Sequence, residues 1–257
     1  MRFISMHKAT RDMEAGLPPS PEVMNGMGPL MGEMMAAGVF ESGEGLRPSS
    51  AGVRLTISNG ERTVTPGPLA GSNELIDRYM IVRVQSLDEA IEWGTRFAGG
   101  AAEAEVDVRP VTEAWDLGMM PKPADLTTTR FMILHKTSGD REAGPSRLAE
   151  FASMKADARG AGAFAGGEFL QPSSAGRRVR FSGGRQTVID GPFTESKELI
   201  AGFSIMRADS IEETLAWAAR FAALIGDIEV DIRPLYEVLS VARQVVRSFQ
   251  QVNCPVD

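Results

Sequence analysis

The stretch VIDGPFTESKELIAGFSIMRA, residues 188–208, recurs in altered form about 124 residues upstream as VTPGPLAGSNELIDRYMIVRV, residues 64–84. Each reads as a strand end, a tight Gly-Pro corner, a short polar loop and a long apolar strand. A repeat of this length constrains the chain to two versions of one domain. Aligned without gaps, residues 47–110 and 171–234 share roughly 29 identities in 64 positions, far above chance.

The remaining elements repeat in the same order. RFISMHK (2–8) and RFMILHK (130–136) alternate as strands and carry the only two histidines, His7 and His135, at one place in the two copies. Glu14-Ala15-Gly16 and Glu142-Ala143-Gly144 follow. A helix comes next in each half. In the first, Ser20-Pro21 supplies the cap, while Gly26, Gly28 and Pro29 predict a kink or split. In the second, Arg147 to Arg159 holds no breaker. The methionines at 24, 27, 31, 34 and 35 recur at helical spacing, a pattern of core packing. A strand, a Pro-Ser-Ser-Ala-Gly loop and a hairpin then lead to the Gly-Pro corner, with turns at Ser58-Asn59-Gly60 and Ser182-Gly183-Gly184. Ser86-Leu87-Asp88-Glu89 and Ser210-Ile211-Glu212-Glu213 fit the capping box of a helix start. EVDVRP (105–110) and EVDIRP (229–234) are the last strands. Their Glu, Asp and Arg share one face, for which an ordinary solvated face is the plainer reading and a buried, paired one the alternative.

The order β-α-β, hairpin, β-α-β is that of the ferredoxin-like, split βαβ arrangement. The predicted fold is therefore α+β, with two ferredoxin-like domains packing their open sheet faces together as an intramolecular pseudo-dimer. The domains are expected at 1–117 and 130–239, with a semi-rigid linker at 118–129 and a tail at 240–257.

Composition narrows the function classes. A net charge of −7 argues against nucleic acid, and Arg177, Arg178, Arg180 and Arg185 read as a solvated hairpin. There is no apolar run of membrane-spanning length, and the N-terminus is too quickly polar for a signal peptide. Cys254 is the only cysteine, so an internal disulfide is excluded and a cytoplasmic location is expected. A zinc set, a phosphate loop and a dinucleotide fingerprint are all missing, and no cofactor is expected.

The segments GEFLQPSSAGRRVRFSGGRQTV, DGPFTESKELIAGF and EVDIRPL resemble the YCII-related, DGPF-motif family. HKATRDMEAG, AGVFESGEGLRPSSAG, DEAIEW and EVDVRPV extend the likeness to the first half, so that it covers nearly everything but linker and tail. The resemblance implies ferredoxin-like domains that pair into a dimeric α+β barrel, which a tandem chain would mimic internally. It also implies a suspected His–Asp enzymatic pair and, for the DGPF branch, a link to extracytoplasmic-function sigma factors. It brings no settled activity. The second half carries the full motif Asp190-Gly191-Pro192-Phe193, followed by Glu195, Lys197 and Glu198. The first has Pro66-Gly67-Pro68-Leu69 and keeps only Glu74.

Two functional readings follow. One is a small polar ligand held between the sheets, with His7, Ser173, Ser174, Lys197 and Glu198 as binding residues. The other is a cofactor-independent enzyme with His135 as general base, Asp190 orienting it and Glu195 assisting. Against the second, Asp190 is also explained as a turn residue, and His135 as a hydrogen-bonded core histidine. A further homodimer stays open.

Overall fold

The alternation in RFISMHK fixes β1 (Arg2–Lys8): Ile4 and Met6 enter one packed layer and Phe3 another. The structure, a computed structural model, describes residues 1–71, 75–99, 103–137, 140, 142–193 and 199–237. A short α1 (Arg11–Glu14), capped by Thr10, precedes α2 (Pro21–Ala36), where the Ser20 hydroxyl accepts from Val23 N–H. α2 does not split. Pro29 lies inside one continuous helix, because Leu30 and Met34 anchor it against Val39 and Met206.

β2 (Phe40–Leu46) follows, then a 3₁₀ turn at Ser49–Ala51, β3 (Val53–Ser58), β4 (Glu61–Pro66), β5 (Leu75–Val84), α3 (Leu87–Phe97) and β6 (Glu103–Thr112). The second half supplies β7 (Thr129–Thr137), α4 (Pro145–Gly160), β8 (Phe164–Phe169), a 3₁₀ turn at Ser173–Ala175, β9 (Arg177–Ser182), β10 (Arg185–Asp190), β11 (Ile200–Arg207), α5 (Ile211–Ile225) and β12 (Ile228–Pro234). Both capping boxes form: Ser86 accepts from Glu89 N–H at 3.2 Å and Ser210 from Glu213 N–H at 3.2 Å.

The two halves do not make a sheet each. One run of antiparallel strands reads β10-β9-β12-β1-β11-β2, and the other reads β4-β3-β6-β7-β5-β8. In each, the first strand, the helix after it and the second strand come from one half, and the other four strands come from the other. The order within each run is still that of a split βαβ sheet with an added hairpin. The exchange has a simple physical basis. β1 and β7 carry nearly the same side-chain pattern, so β11 and β5 meet an equivalent apolar strand whichever half provides it. The runs join where β2 pairs with β6 (Gly45 with Thr112, Leu46 with Val111), and a single bridge links Leu170 to Leu235 on the opposite side.

Two kinds of core result. Between the sheets lie Ile4, Met6, Tyr79, Ile81, Met132, Leu134, Phe203 and Ile205. Under α3 and α4 lie Met80, Val82, Val106, Val108, Ile133, Phe97 and Phe151, while α5 covers Phe3, Val230 and Ile232. The inter-sheet space is thus mostly filled by apolar side chains, with charges at both ends: Arg2 pairs with Glu168 and Arg130 with Glu44 and Glu113 at one, and Lys8 and Lys136 lie at the other. Among the described residues, no helix is long and apolar enough to cross a membrane.

Candidate functional site

The end that holds Lys8 and Lys136 is a cleft lined by matching residues of the two halves. Met6 and Leu134, Lys8 and Lys136, Ile76 and Ile200, Leu75 and Leu199, Asp107 and Asp231, and Arg109 and Arg233 all face it, together with Phe193. Alternation places them. Val106 and Val108 turn under the helices, so Asp107 and Arg109 turn between the sheets, and Leu134 and Lys136 do so opposite them. Asp107 and Arg109 are 1% exposed, Asp231 3% and Arg233 4%, so the solvated-face reading of the last strands is corrected. The facing sheet covers this side of the strands, with Arg109 reaching the Ile200 carbonyl and Arg233 the Ile76 carbonyl, and repeat patterning alone does not reveal it.

Buried charges this close must be paired. Asp231 accepts from Lys8 Nζ at 2.7 Å and from Arg178 Nε at 2.7 Å. Asp107 takes Lys136 Nζ at 2.7 Å and Arg54 Nε at 2.6 Å, and Glu105 also accepts from Lys136 at 2.8 Å. Burial alone would raise both aspartates, but these cations hold them below the ordinary carboxylate range. Each arginine then reaches across to the other half. Arg109 Nη1 donates to the Ile200 carbonyl and Arg233 Nη1 to the Ile76 carbonyl. Arg233 Nε is satisfied by the Gln171 carbonyl at 3.0 Å. Arg109 Nε is buried and has no partner among the described residues. Its other nitrogens reach the Arg47 carbonyl and, at 3.0 Å, Glu14.

His135 lies on the opposite side of its strand, facing the helices. Its Nδ1 is 2.8 Å from Asp77 Oδ1. The register of β5 against β7 shifts between Ile76 and Arg78, and this irregularity turns Asp77 toward the imidazole. Asp77 also pairs with Arg147 and, at 3.2 Å, with Arg78, whose guanidinium donates to the Phe97 carbonyl and lies over the Phe97 and Phe169 rings. Burial lowers the His135 pKa despite Asp77. Burial would raise Asp77, yet His135, Arg78 and Arg147 keep it low. The expected partnership of His135 with Asp190 is therefore replaced by one with Asp77. Asp190 ends β10 with an exposed side chain paired to Arg177 Nε at 2.7 Å. Sequence reasoning passed over Asp77. Its signal was a carboxylate and an arginine, Asp77-Arg78, where the second half has Ala201-Gly202.

His7 occupies the matching place with a different environment. It sits across from Gly202 and packs on Phe221 with ring centroids 5.0 Å apart. Burial pushes its pKa down to about 4. The unfolded imidazole titrates near 6.5, so on acidification the unfolded chain takes the proton first. Stability present above pH 6.5 is then lost toward pH 4, by at most about 1.4 kcal/mol per unit. Urea midpoints at pH 7.0 and 4.5 are expected to lie closer together in His7→Leu than in wild type. An unchanged gap would mean His7 is not desolvated.

Ser173 and Ser174 serve the corner instead of the cleft. The Ser173 hydroxyl accepts from Phe193 N–H at 2.8 Å, and Asp140 accepts the backbone N–H of Ser173 and, at 2.8 Å, of Ser174. In the first half the Ser49 hydroxyl accepts from Leu69 N–H at 3.0 Å and donates to Glu14 at 2.5 Å. Glu195, Lys197 and Glu198, like Glu74, Cys254 and the 240–257 tail, lie outside the described residues. The structure thus gathers none of His135, Asp190, Ser173 and Ser174 into one site. Among the described residues there is also no group of three or more His, Cys, Asp or Glu placed to hold a metal.

With this geometry in view, the comparisons locate part of the chain. Residues 129–232 match the YCII-related domain, so β7 through most of β12 constitute one such domain. An uncharacterized protein of Rhizobium meliloti (strain 1021) is 41% identical over 49 residues. That stretch is 19% of this chain and 40% of the relative, so the chain spans well under half of the relative's length. No solved structure matches the chain.

Proposed function

We propose that the chain is a duplicated YCII-type protein, an internal pseudo-dimer of the α+β-barrel kind, that binds a small polar molecule in the cleft between its sheets. The observation that carries this reading is the lining: four cationic and two anionic side chains, all from corresponding positions of the two halves, buried beside an otherwise apolar core. Packing alone favours hydrophobic groups at such a place, since buried ion pairs commonly stabilise no more than apolar replacements. A paired set of charges there makes sense when a ligand uses it. Leu75, Ile76, Leu199, Ile200 and Phe193 supply the apolar wall against which a small body rests.

A thermal-shift screen of small metabolites tests this against Leu199→Trp, which narrows the cleft without touching a charge. Wild type is expected to be stabilised by one chemical class, and the variant to lose that response while unfolding at a similar temperature unliganded. An equal response in both proteins would move binding elsewhere.

A further inference from the structure

The outer strands of the two hairpins, β4 and β10, occupy corresponding places, yet their free edges differ. Among the described residues β4 pairs only with β3, and β10 only with β9. A two-residue turn closes each hairpin, with Ser58 opposite Glu61 and Ser182 opposite Arg185. From that hydrogen-bonded closing pair, alternate residues bond inward, and the N–H groups of Gly67 and Gly191 continue the series on the carbonyls of Gly52 and Gly176. The backbone groups of Arg62, Val64 and Pro66 in β4, and of Gln186, Val188 and Asp190 in β10, therefore point away from the sheet.

The edge of β4 is blunted. Pro66 has no N–H to offer, and Arg62 is drawn onto α3 by Glu92 at 2.9 Å and Thr95 at 2.8 Å. At the corresponding places β10 has Asp190 and Gln186, so its edge keeps every donor and loses the arginine. Ile189 also stands where β4 has Thr65, and Val188 and Ile189 are 42% and 46% exposed.

We propose that β10 is a self-pairing edge, which joins two copies of the chain through an antiparallel β10–β10 ladder about a twofold axis. The strand is complementary to itself in one register. With Val188 opposite Val188 of the second copy, Gln186 lies opposite Asp190 and Thr187 opposite Ile189. Every outward residue then exchanges both its hydrogen bonds, and β-branched side chains face one another. Asp190, held by Arg177 through Oδ1, can accept from the Gln186 amide of the second copy through Oδ2. Centring the ladder on Thr187 would leave Asp190 outside it and set Arg185 against Ile189. A contact between β10 and β4 of another copy would be head-to-tail and open-ended, and Pro66 removes a bond from it, so association stops at two. A single strand seam buries less than the ~800 Å² per partner of a standard interface, so the dimer is weak and reversible.

Sedimentation of the full chain from low micromolar to about 1 mM tests this, with wild type, Val188→Pro and Val188→Lys. Wild type is expected to shift from monomer to dimer across that range. Val188→Pro keeps the hairpin, since that N–H is not used within it, and is expected to self-associate roughly tenfold more weakly or less. Val188→Lys sets two like charges opposite each other and is expected to weaken the dimer as well. Amide exchange in wild type is expected to slow with concentration at Gln186, Val188 and Asp190, while Thr187 and Ile189, already bonded to β9, stay unchanged. A wild type that stays monomeric throughout would overturn the proposal. So would a dimer that both variants form as readily, or growth beyond two copies. Protection of Gln186, Val188 and Asp190 already complete at the lowest concentration would show the same chain covering its own edge, and overturns it too. Should Val188→Pro fail to fold, Val188→Lys and the alternating exchange pattern decide.

Discussion

Gly191→Ala is expected to cost about 3 kcal/mol or more, the upper end of what overpacking does, and to be among the most damaging single-methyl changes in the chain. A Cβ at Gly191 would overlap the Ser173 carbonyl, and one at Gly67 would overlap that of Ser49. The obstructing atoms are backbone in a 3₁₀ turn, itself held by Asp140 or Glu14, so they have little room to retreat. The same turn presents the serine hydroxyl that accepts from Phe193 or Leu69. The glycine of the Gly-Pro corner is thus required by close approach of two loops, and the Gly-Pro peptide bond is cis in both halves. Chemical denaturation of Gly191→Ala beside Gly183→Ala, where φ is +56° but nothing lies within 4 Å, separates the two effects. A loss at Gly191 no larger than the ~1 kcal/mol of left-handed strain at Gly183 would show that the loops can part.

Asp231→Ala is the second large effect, with an expected loss of about 3 kcal/mol, because it removes the buried carboxylate that Lys8 and Arg178 share, while Arg178 keeps Glu229 at 3.4 Å. Lys8 and Arg178 both donate to this carboxylate, and Lys8 is itself buried. Replacing both members of the pair, as Asp231→Leu with Lys8→Met, is expected to recover a good part of that loss, which a double-mutant cycle measures directly. The acid response follows from the lowered pKa of Asp231. The unfolded aspartate takes a proton near 3.9, so the contribution is complete above that and disappears as pH falls through the lower folded value. Midpoints measured between pH 5 and 2 are expected to fall less steeply in the double variant. A cycle showing no coupling would rule out the pairing.

Local structure was well written in the chain. The serine caps at 86 and 210, the two-residue hairpin turns and the alternating strands depend on neighbours in sequence, and patterning reads such features directly. Strand partners were a different matter. β1 and β7 satisfy β11 and β5 equally in hydrophobic pattern, so nothing within either half says that its first two strands belong to the other's sheet. Burial of the charged faces of β6 and β12 was hidden for the same reason, since it depends on what the strands meet across the molecule. His135 stands out in the sequence, but the motif points to Asp190 as its companion, and Asp190 is bound to Arg177. Asp77 sits at an irregularity in the β5–β7 ladder that periodicity cannot signal.

The interleaving has a consequence for inheritance. The stretch matching the YCII-related domain hands its opening β-α-β portion to the neighbouring sheet and receives another in return. Moved alone by recombination into a foreign gene, either half would have to turn its opening strands back onto its own sheet or trade them with a second copy of itself. Sequence drift on one side is tolerated only as far as its counterpart can accommodate it, which ties the fates of the two coding segments together.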